Sequence, residues 1–241
     1  MPRPRPATKL PVGHIFAAAW HTYRTSPGRV LGISLAIFVP ATLLDGLGRY
    51  FNDEWDGPAG SAIALVIFIS LVASIANTLG ASFYAGMLDY TVHAIRHDEQ
   101  QRPLGEIARD LPYLRMVGLA IVYGAILVLG ALLLIVPAFI AFVLLSICGP
   151  LLVTERLGVR AAIRRSATLT WPHFWRVALV VLVPTLVESS VVDAIATQAG
   201  HTLLAEVAIH GALATIFYAY TILLEVHTAQ WLVEEDHRAA A

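Results

Sequence analysis

The stretch MVGLAIVYGAILVLGALLLIVPAFIAFVLLSICGPLLVT, residues 116–154, contains no charged side chain. As a single α-helix it would be about 58 Å long, nearly twice the roughly 30 Å thickness of a bilayer core. Pro137 lies near its middle, and proline lacks a backbone N–H and disfavours helix in the residue before it. The stretch therefore predicts a helical hairpin that turns near Pro137.

The rest of the chain has the same apolar character. Of its 241 residues, 57% are hydrophobic and 14% are charged, and the mean hydropathy is +0.70. A soluble domain carries about 25% charged residues. The composition predicts an integral membrane protein, and the net charge of -1 gives no indication of a nucleic-acid partner.

The apolar runs predict an all-α polytopic membrane protein with six transmembrane helices arranged as three hairpins. Helices are expected because every backbone polar group in lipid must be satisfied within its own segment. We expect a disordered basic tail over 1–10, one transmembrane domain over 11–234 and a cytoplasmic tail over 235–241. The predicted spans are about 30–48, 61–88, 116–136, 138–154, 177–197 and 202–233.

The basic residues predict the orientation. With six spans, all but one of the 16 lysines and arginines fall on the same side, and the exception is Arg49. Cytoplasmic loops are enriched in basic residues. Both termini are therefore predicted to be cytoplasmic, in a plasma membrane and specifically a bacterial inner membrane.

A short amphipathic segment precedes each odd-numbered span. The segments are PVGHIFAAAWHTYR from Pro11, PLGEIARDL from Pro103 and ERLGVRAAIRRSATLTWPHFWR from Glu155. Each is followed by an arginine at the start of the span: Arg29, Arg115 and Arg176. This pattern predicts three units, each an interfacial helix followed by a hairpin, and a helix over 157–170 that lies along the membrane surface. The alternative is that any membrane protein carries amphipathic loops.

The third segment is the candidate lipid-binding surface. Such helices keep basic side chains towards anionic headgroups. We expect headgroup contacts from five arginines, with the first three on one helical face: Arg156, Arg160, Arg164, Arg165 and Arg176.

The chain between about Phe83 and Leu182 resembles the membrane domain of some glycerophosphoryl diester phosphodiesterases and related uncharacterised multi-pass bacterial proteins. The matching residues are Pro137, Glu155, Ala162, Arg165, Ser166, Leu169, Trp175 and Arg176. Ala138 and Trp171 depart from that pattern, which has glycine at both positions. The resemblance implies a multi-pass fold. It transfers no catalytic residue, because the phosphodiesterase activity resides in a separate barrel domain that this chain has no room for.

Ionisable residues within spans are costly and mark candidate sites. Glu188 lies midway along the fifth span, and Glu206 and His210 are four residues apart on one face of the sixth. If these spans form a hairpin, Glu188 approaches His210. The three residues are predicted to form either a structural polar pair or a proton or metal site. No close-spaced metal motif, catalytic constellation or cofactor motif accompanies them.

Three functions remain open. The first is a non-enzymatic membrane scaffold or accessory protein that engages anionic lipids, with a protein partner or a second copy of the chain. The second is a small-molecule or lipid transporter, against which stands the lack of any interrupted span. The third is a membrane-embedded metal-dependent hydrolase that uses Glu188, Glu206 and His210. No activity, cofactor or resident metal is predicted under the first interpretation.

Overall fold

The computed structural model describes residues 9–39, 79–95, 102–133, 135–196 and 203–240. Every regular element in these ranges is helical, as the composition predicts. The helices are α1 Val12–Thr25, α2 Pro27–Val39, α3 79–95, α4 Leu104–Asp110, α5 Tyr113–Leu133, α6 Ile135–Leu145, α7 Cys148–Thr154, α8 Val159–Thr170, a 3-10 turn Trp171–His173, α9 Phe174–Ala196 and α10 Leu203–Ala240.

Two segments are long and apolar enough to cross a membrane, judged by length and composition. They are Val136–Thr154 and Val159–Val191, and two shorter apolar helices are Pro27–Val39 and Tyr113–Ile126. Most of the first two predicted spans, over residues 40–78, lies outside the described residues. The described part of the chain therefore shows two candidate spans.

The three amphipathic segments are all helices, here called the elbow helices α1, α4 and α8. Their buried positions follow helical spacing. The buried residues of α1 are Ile15, Ala19 and Thr22. In α4 the buried residue is Ile107. The buried residues of α8 are Ala162, Ser166, Leu169 and Thr170. The helix predicted over 157–170 begins two residues later, at Val159.

Three arginines join the elbow helices in a ring. The Arg29 guanidinium donates to the carbonyl of Arg102, just before α4. Arg115 donates to the carbonyl of Arg156, just before α8, at 2.9 Å. Arg176 donates to the carbonyl of Leu10, just before α1, at 2.7 Å. Each arginine thus holds the start of the next elbow helix, and the third contact returns to the first.

The elbow helices pack in the same cyclic order. α1 lies against α10, where Thr22 Oγ1 and His227 Nε2 are 3.1 Å apart. α8 lies against α6 and α7, and Ser166 donates to the carbonyl of Leu144 at 2.6 Å. After α4, the Leu111 side chain lies against Gly86 of α3. The three elbow regions therefore pack on α10, α3 and the α6–α7 pair, respectively for α1, α4 and α8.

The central hairpin turns slightly earlier than predicted. α5 ends at Leu133 and α6 begins at Ile135, so Pro137 lies in the first turn of α6. Proline is tolerated there because the first-turn N–H groups have no helical acceptor. The arms approach closely near this turn, since a Cβ on Gly130 would lie 3.0 Å from Ala138 Cα.

The second arm of this hairpin is interrupted, whereas the sequence predicted one helix over 138–154. α6 ends at Leu145, a turn follows at residues 146–147, and α7 begins at Cys148. Pro150 explains the break. It has no N–H for the carbonyl of Ser146, four residues earlier, and its ring would clash with that carbonyl. The break between α6 and α7 therefore contradicts the prediction that no span is interrupted.

Candidate functional site: a cavity lined by carboxylates

A cavity of about 310 Å³ lies among α3, α5, α6, α7, α9 and α10. Two carboxylates line it, Glu188 from α9 and Glu225 from α10. Its other polar lining groups are Ser82, Tyr123, Ser146, Cys148, Thr185, Tyr218 and Thr221. The cavity thus joins two acidic side chains with hydroxyl groups inside an otherwise apolar bundle.

Helical periodicity directs both carboxylates inward. Glu188 follows the buried residues Val177, Val181 and Pro184 at spacings of four, three and four along α9. On α10, Glu225 lies four residues after Thr221, which also lines the cavity. Both acids therefore continue faces that the bundle buries, and Glu188 is only 9% exposed.

The interrupted helix forms one wall of the cavity. Ser146, Cys148, Gly149 and Pro150 all line it. Non-helical backbone at membrane depth is tolerated where it is buried in protein or lines a cavity. Discontinuous helices of this kind border the substrate sites of many transporters.

One lining hydroxyl has an unused hydrogen-bonding capacity. Within the described residues, Thr221 Oγ1 is buried and has no hydrogen-bond partner. Thr185, by contrast, donates to the carbonyl of Val181 at 2.8 Å. Because buried polar groups are nearly always paired, Thr221 is available to a ligand or water in the cavity.

A third buried acid, Asp89, has a different environment. It lies one helical turn beyond Ala85, which lines the cavity. Its carboxylate accepts hydrogen bonds from Thr154 of α7 at 3.0 Å and from Gln230 of α10 at 2.7 Å. Asp89 therefore connects α3 with α7 and α10, and its hydrogen bonds give it a structural role.

The predicted acidic and histidine candidates are only partly brought together. Glu188 lines the cavity, whereas the side chains of Glu206 and His210 on α10 lie outside the described residues. The pairing of Glu188 with His210 stays a prediction. In the described part of the chain, no group of three histidine, cysteine or acidic residues could hold a metal ion.

The five predicted lipid-binding arginines have three different environments. Arg160 and Arg164 are exposed on α8. Arg156 is exposed too, but it precedes α8 with a φ of 51°, so it does not continue their helical face. Arg165 pairs with Glu155 at 3.3 Å and Asp236 at 2.8 Å, and Arg176 holds the start of α1.

Sequence reasoning missed Glu225 as a cavity residue. The available signal was the inward face of α10, where Tyr218, Thr221 and Glu225 follow one another at helical spacing. Ser146 was missed because the break at Pro150 was not recognised.

No family model matches the chain, and no solved structure matches it. The resemblance to the membrane domain of glycerophosphoryl diester phosphodiesterases stays a prediction from the residues quoted above.

Proposed function

We propose that the protein is a six-span integral membrane protein that binds a small organic cation in the central cavity and carries it across the membrane. The observation that carries this proposal is the presence of Glu188 and Glu225 in one cavity beside an interrupted helix. The basic interfacial helices and the absence of a catalytic constellation favoured a scaffold in the sequence, and the lack of an interrupted span counted against a transporter. The break between α6 and α7 removes that objection.

Exposed apolar stripes support the membrane location. On α5, Leu114, Val117 and Ile121 are exposed at spacings of three and four. On α9, Leu179, Val183 and Leu186 repeat the pattern. Contiguous exposed apolar surface marks a protein or membrane contact, and these stripes run along the helices that would face lipid. The six-span topology, with both termini in the cytoplasm of a bacterial cell, belongs to this proposal.

The lining chemistry supports a cationic ligand. An ionised carboxylate within a membrane is costly unless it is paired. An ammonium group provides that pairing, and the neighbouring hydroxyls, including Thr221, supply hydrogen bonds. A volume of about 310 Å³ admits a small organic molecule but not a phospholipid.

The test uses purified protein, methylammonium and tetramethylammonium chloride, and thermal unfolding. A ligand that binds only the folded state raises Tm. We expect at least one ammonium salt to raise Tm relative to sodium chloride, and Glu188→Gln and Glu225→Gln to remove that shift. Glu234→Gln, in the exposed end of α10, is the matched control and should keep it.

Transport is then measured as uptake of the binding ammonium ion into proteoliposomes. Uptake should require Glu225 and be lost in Glu225→Gln. A wild-type protein that neither binds nor takes up any ammonium ion would contradict the proposal, as would full uptake by Glu188→Gln and Glu225→Gln. Proton flux alone, followed with a pH-sensitive dye inside the vesicles, would identify a proton pathway and reject the organic cation.

A second candidate function is an accessory protein that engages anionic lipid through α8. Arg160 and Arg164 are the exposed residues that favour it. Their replacement by glutamine should weaken association with vesicles containing phosphatidylglycerol, by about 1 kcal/mol per residue. If the double variant associates with these vesicles as strongly as the wild type, the two arginines do not bind lipid and serve only to orient the protein in the membrane.

A further inference from the structure

A second cavity, of about 610 Å³, lies where the third unit meets the first. Three basic residues line it: Lys9, His173 and Arg176. The other lining residues are Ile140, Trp171, Pro172, Phe174 and Trp175, so none of the described lining residues is acidic. We propose that this cavity binds the phosphate of an anionic phospholipid headgroup.

The contact between Arg176 and the residue before α1 creates the site. Arg176 Nη1 donates to the carbonyl of Leu10 at 2.7 Å, which fixes the guanidinium in the cavity wall. The same contact brings Lys9, the residue before Leu10, beside the start of α9. Two positive charges that are far apart in the sequence therefore line one cavity, and hydrogen bonds from such groups to a phosphate are among the stronger ones.

His173 adds a polar group at the same place. Its ring lies edge-on to Trp231 of α10, with centroids 5.7 Å apart. Burial lowers the pKa of His173 below its usual value, while Glu235 opposes that shift and Arg176 adds to it. The imidazole therefore adds a hydrogen-bonding group to the cavity, beside the side chains of Lys9 and Arg176.

The aromatic residues favour a lipid over free phosphate. Trp171 is 66% exposed and Trp175 is 76% exposed. Exposed tryptophans beside basic residues are typical of the headgroup level of a membrane. The surface continues into apolar side chains, because Ile140 lines the cavity and is exposed, and Leu179 is exposed one helical turn after Trp175. The site therefore offers a polar end for phosphate and an apolar path for an acyl chain.

This inference rests on the membrane location in the proposed function and is independent of the central cavity. The test uses the purified full-length protein in non-ionic detergent, titrated with phosphatidylglycerol that carries brominated acyl chains. Bromine quenches tryptophan fluorescence at short range. We expect saturable quenching that is much weaker with brominated phosphatidylcholine, and most of it should disappear in the Trp171→Phe, Trp175→Phe double variant.

Lys9→Gln is the principal variant, because Lys9 is exposed and its loss should not disturb folding. It should weaken the affinity for phosphatidylglycerol about fivefold, the effect expected of one basic residue at a membrane surface. Arg109→Gln is the matched control, an exposed arginine at the same end of the bundle and outside the cavity. It should bind like the wild type.

Three results would overturn the proposal. They are unchanged affinity in Lys9→Gln, an equal loss in Arg109→Gln, and quenching that millimolar inorganic phosphate abolishes, since the last would identify a site for free phosphate. A separate measurement tests the proposed membrane location. If that location is wrong, the wild-type protein will be absent from the membrane fraction of the cells that produce it.

Discussion

At the scale of single residues, the three buried acids differ in what surrounds them. Asp89 receives hydrogen bonds from Thr154 and Gln230. Glu188 and Glu225 line a cavity in which the buried hydroxyl of Thr221 has no partner among the described residues. The first environment stabilises an acid within the fold, and the second offers acids to a ligand. The two kinds of acid should therefore respond differently to substitution.

Substitution of Asp89 should reduce stability. Asp89→Ala removes the acceptor of the hydrogen bonds from Thr154 and Gln230, and each such hydrogen bond contributes about 0.5–1.5 kcal/mol to stability. Asp89→Asn keeps one acceptor oxygen, so it should reduce the stability less than Asp89→Ala does. Asp110→Ala, which removes an exposed partner of Arg102, is the control and should cost less than about 1 kcal/mol. Denaturant unfolding in detergent would measure all three, and equal losses would contradict the assigned role of Asp89.

Glu188 should be more important for binding than for stability. Glu188→Gln removes the charge and keeps the shape, so Tm should change little. Glu188→Leu places an apolar side chain against the hydroxyl-lined cavity, so Tm should fall if the residue makes hydrogen bonds there. A lower Tm in Glu188→Gln than in Glu188→Leu, measured without ligand, would show that its charge holds the helices together.

At the scale of elements, prolines and glycines set where the helices end and how closely they approach. Pro137 lies in the first turn of α6, and Pro150 accounts for the interruption before α7. Gly130 lies against the backbone of Ala138, so the arms of the central hairpin meet with no side chain between them. A Cβ at this position would require the backbone of Ala138 to move by a few tenths of an ångström.

Gly130→Ala tests that close approach. The added Cβ would lie 3.0 Å from Ala138 Cα, and a backbone atom cannot move aside, so the arms must separate. Overpacking of this kind typically costs about 1–3 kcal/mol. Gly124→Ala is the matched control on the same helix, since nothing lies within 4 Å of its Cβ position. The control should be neutral or slightly stabilising, and similar unfolding of both variants would disprove the close approach.

At the scale of the whole molecule, the ring of arginine contacts gathers the elbow helices at one end of the bundle. The described ends of the chain meet there too, because Arg176 binds Leu10 and Arg165 pairs with Asp236. The described lysines and arginines all lie in the elbow helices, close to them in the sequence, or near the ends of the chain. One end of the molecule is therefore basic and the helices between are apolar, an arrangement suited to a membrane surface.

The topology prediction follows from this asymmetry. Reporter fusions after residue 55 and after residue 105 should report opposite sides of the membrane, with residue 105 in the cytoplasm. In a Cys148→Ser background, single cysteines at Arg24, Arg109 and Arg160 should react with an impermeant thiol reagent only from the cytoplasmic side. Labelling of any one of them from the outside would contradict the gathering of the elbow helices at one end.

The sequence by itself determined the helical class, the elbow helices and the position of the arginine that follows each of them. These features are local, because they depend on apolar periodicity, the placement of proline and the spacing of charges along one segment. Glu188 was also identified from the sequence, because an acid within a long apolar run is unusual whatever the tertiary structure around it.

Only the tertiary structure decided what those arginines bind and which acids share a cavity. The acceptors of Arg29, Arg115 and Arg176 are backbone carbonyls, and a carbonyl has no side-chain signature in a sequence. Glu225 and Glu188 line one cavity, and Lys9 and Arg176 line another, because helices distant in the sequence pack together. Such contacts depend on how whole helices pack against one another, and local patterns in the chain do not contain that information.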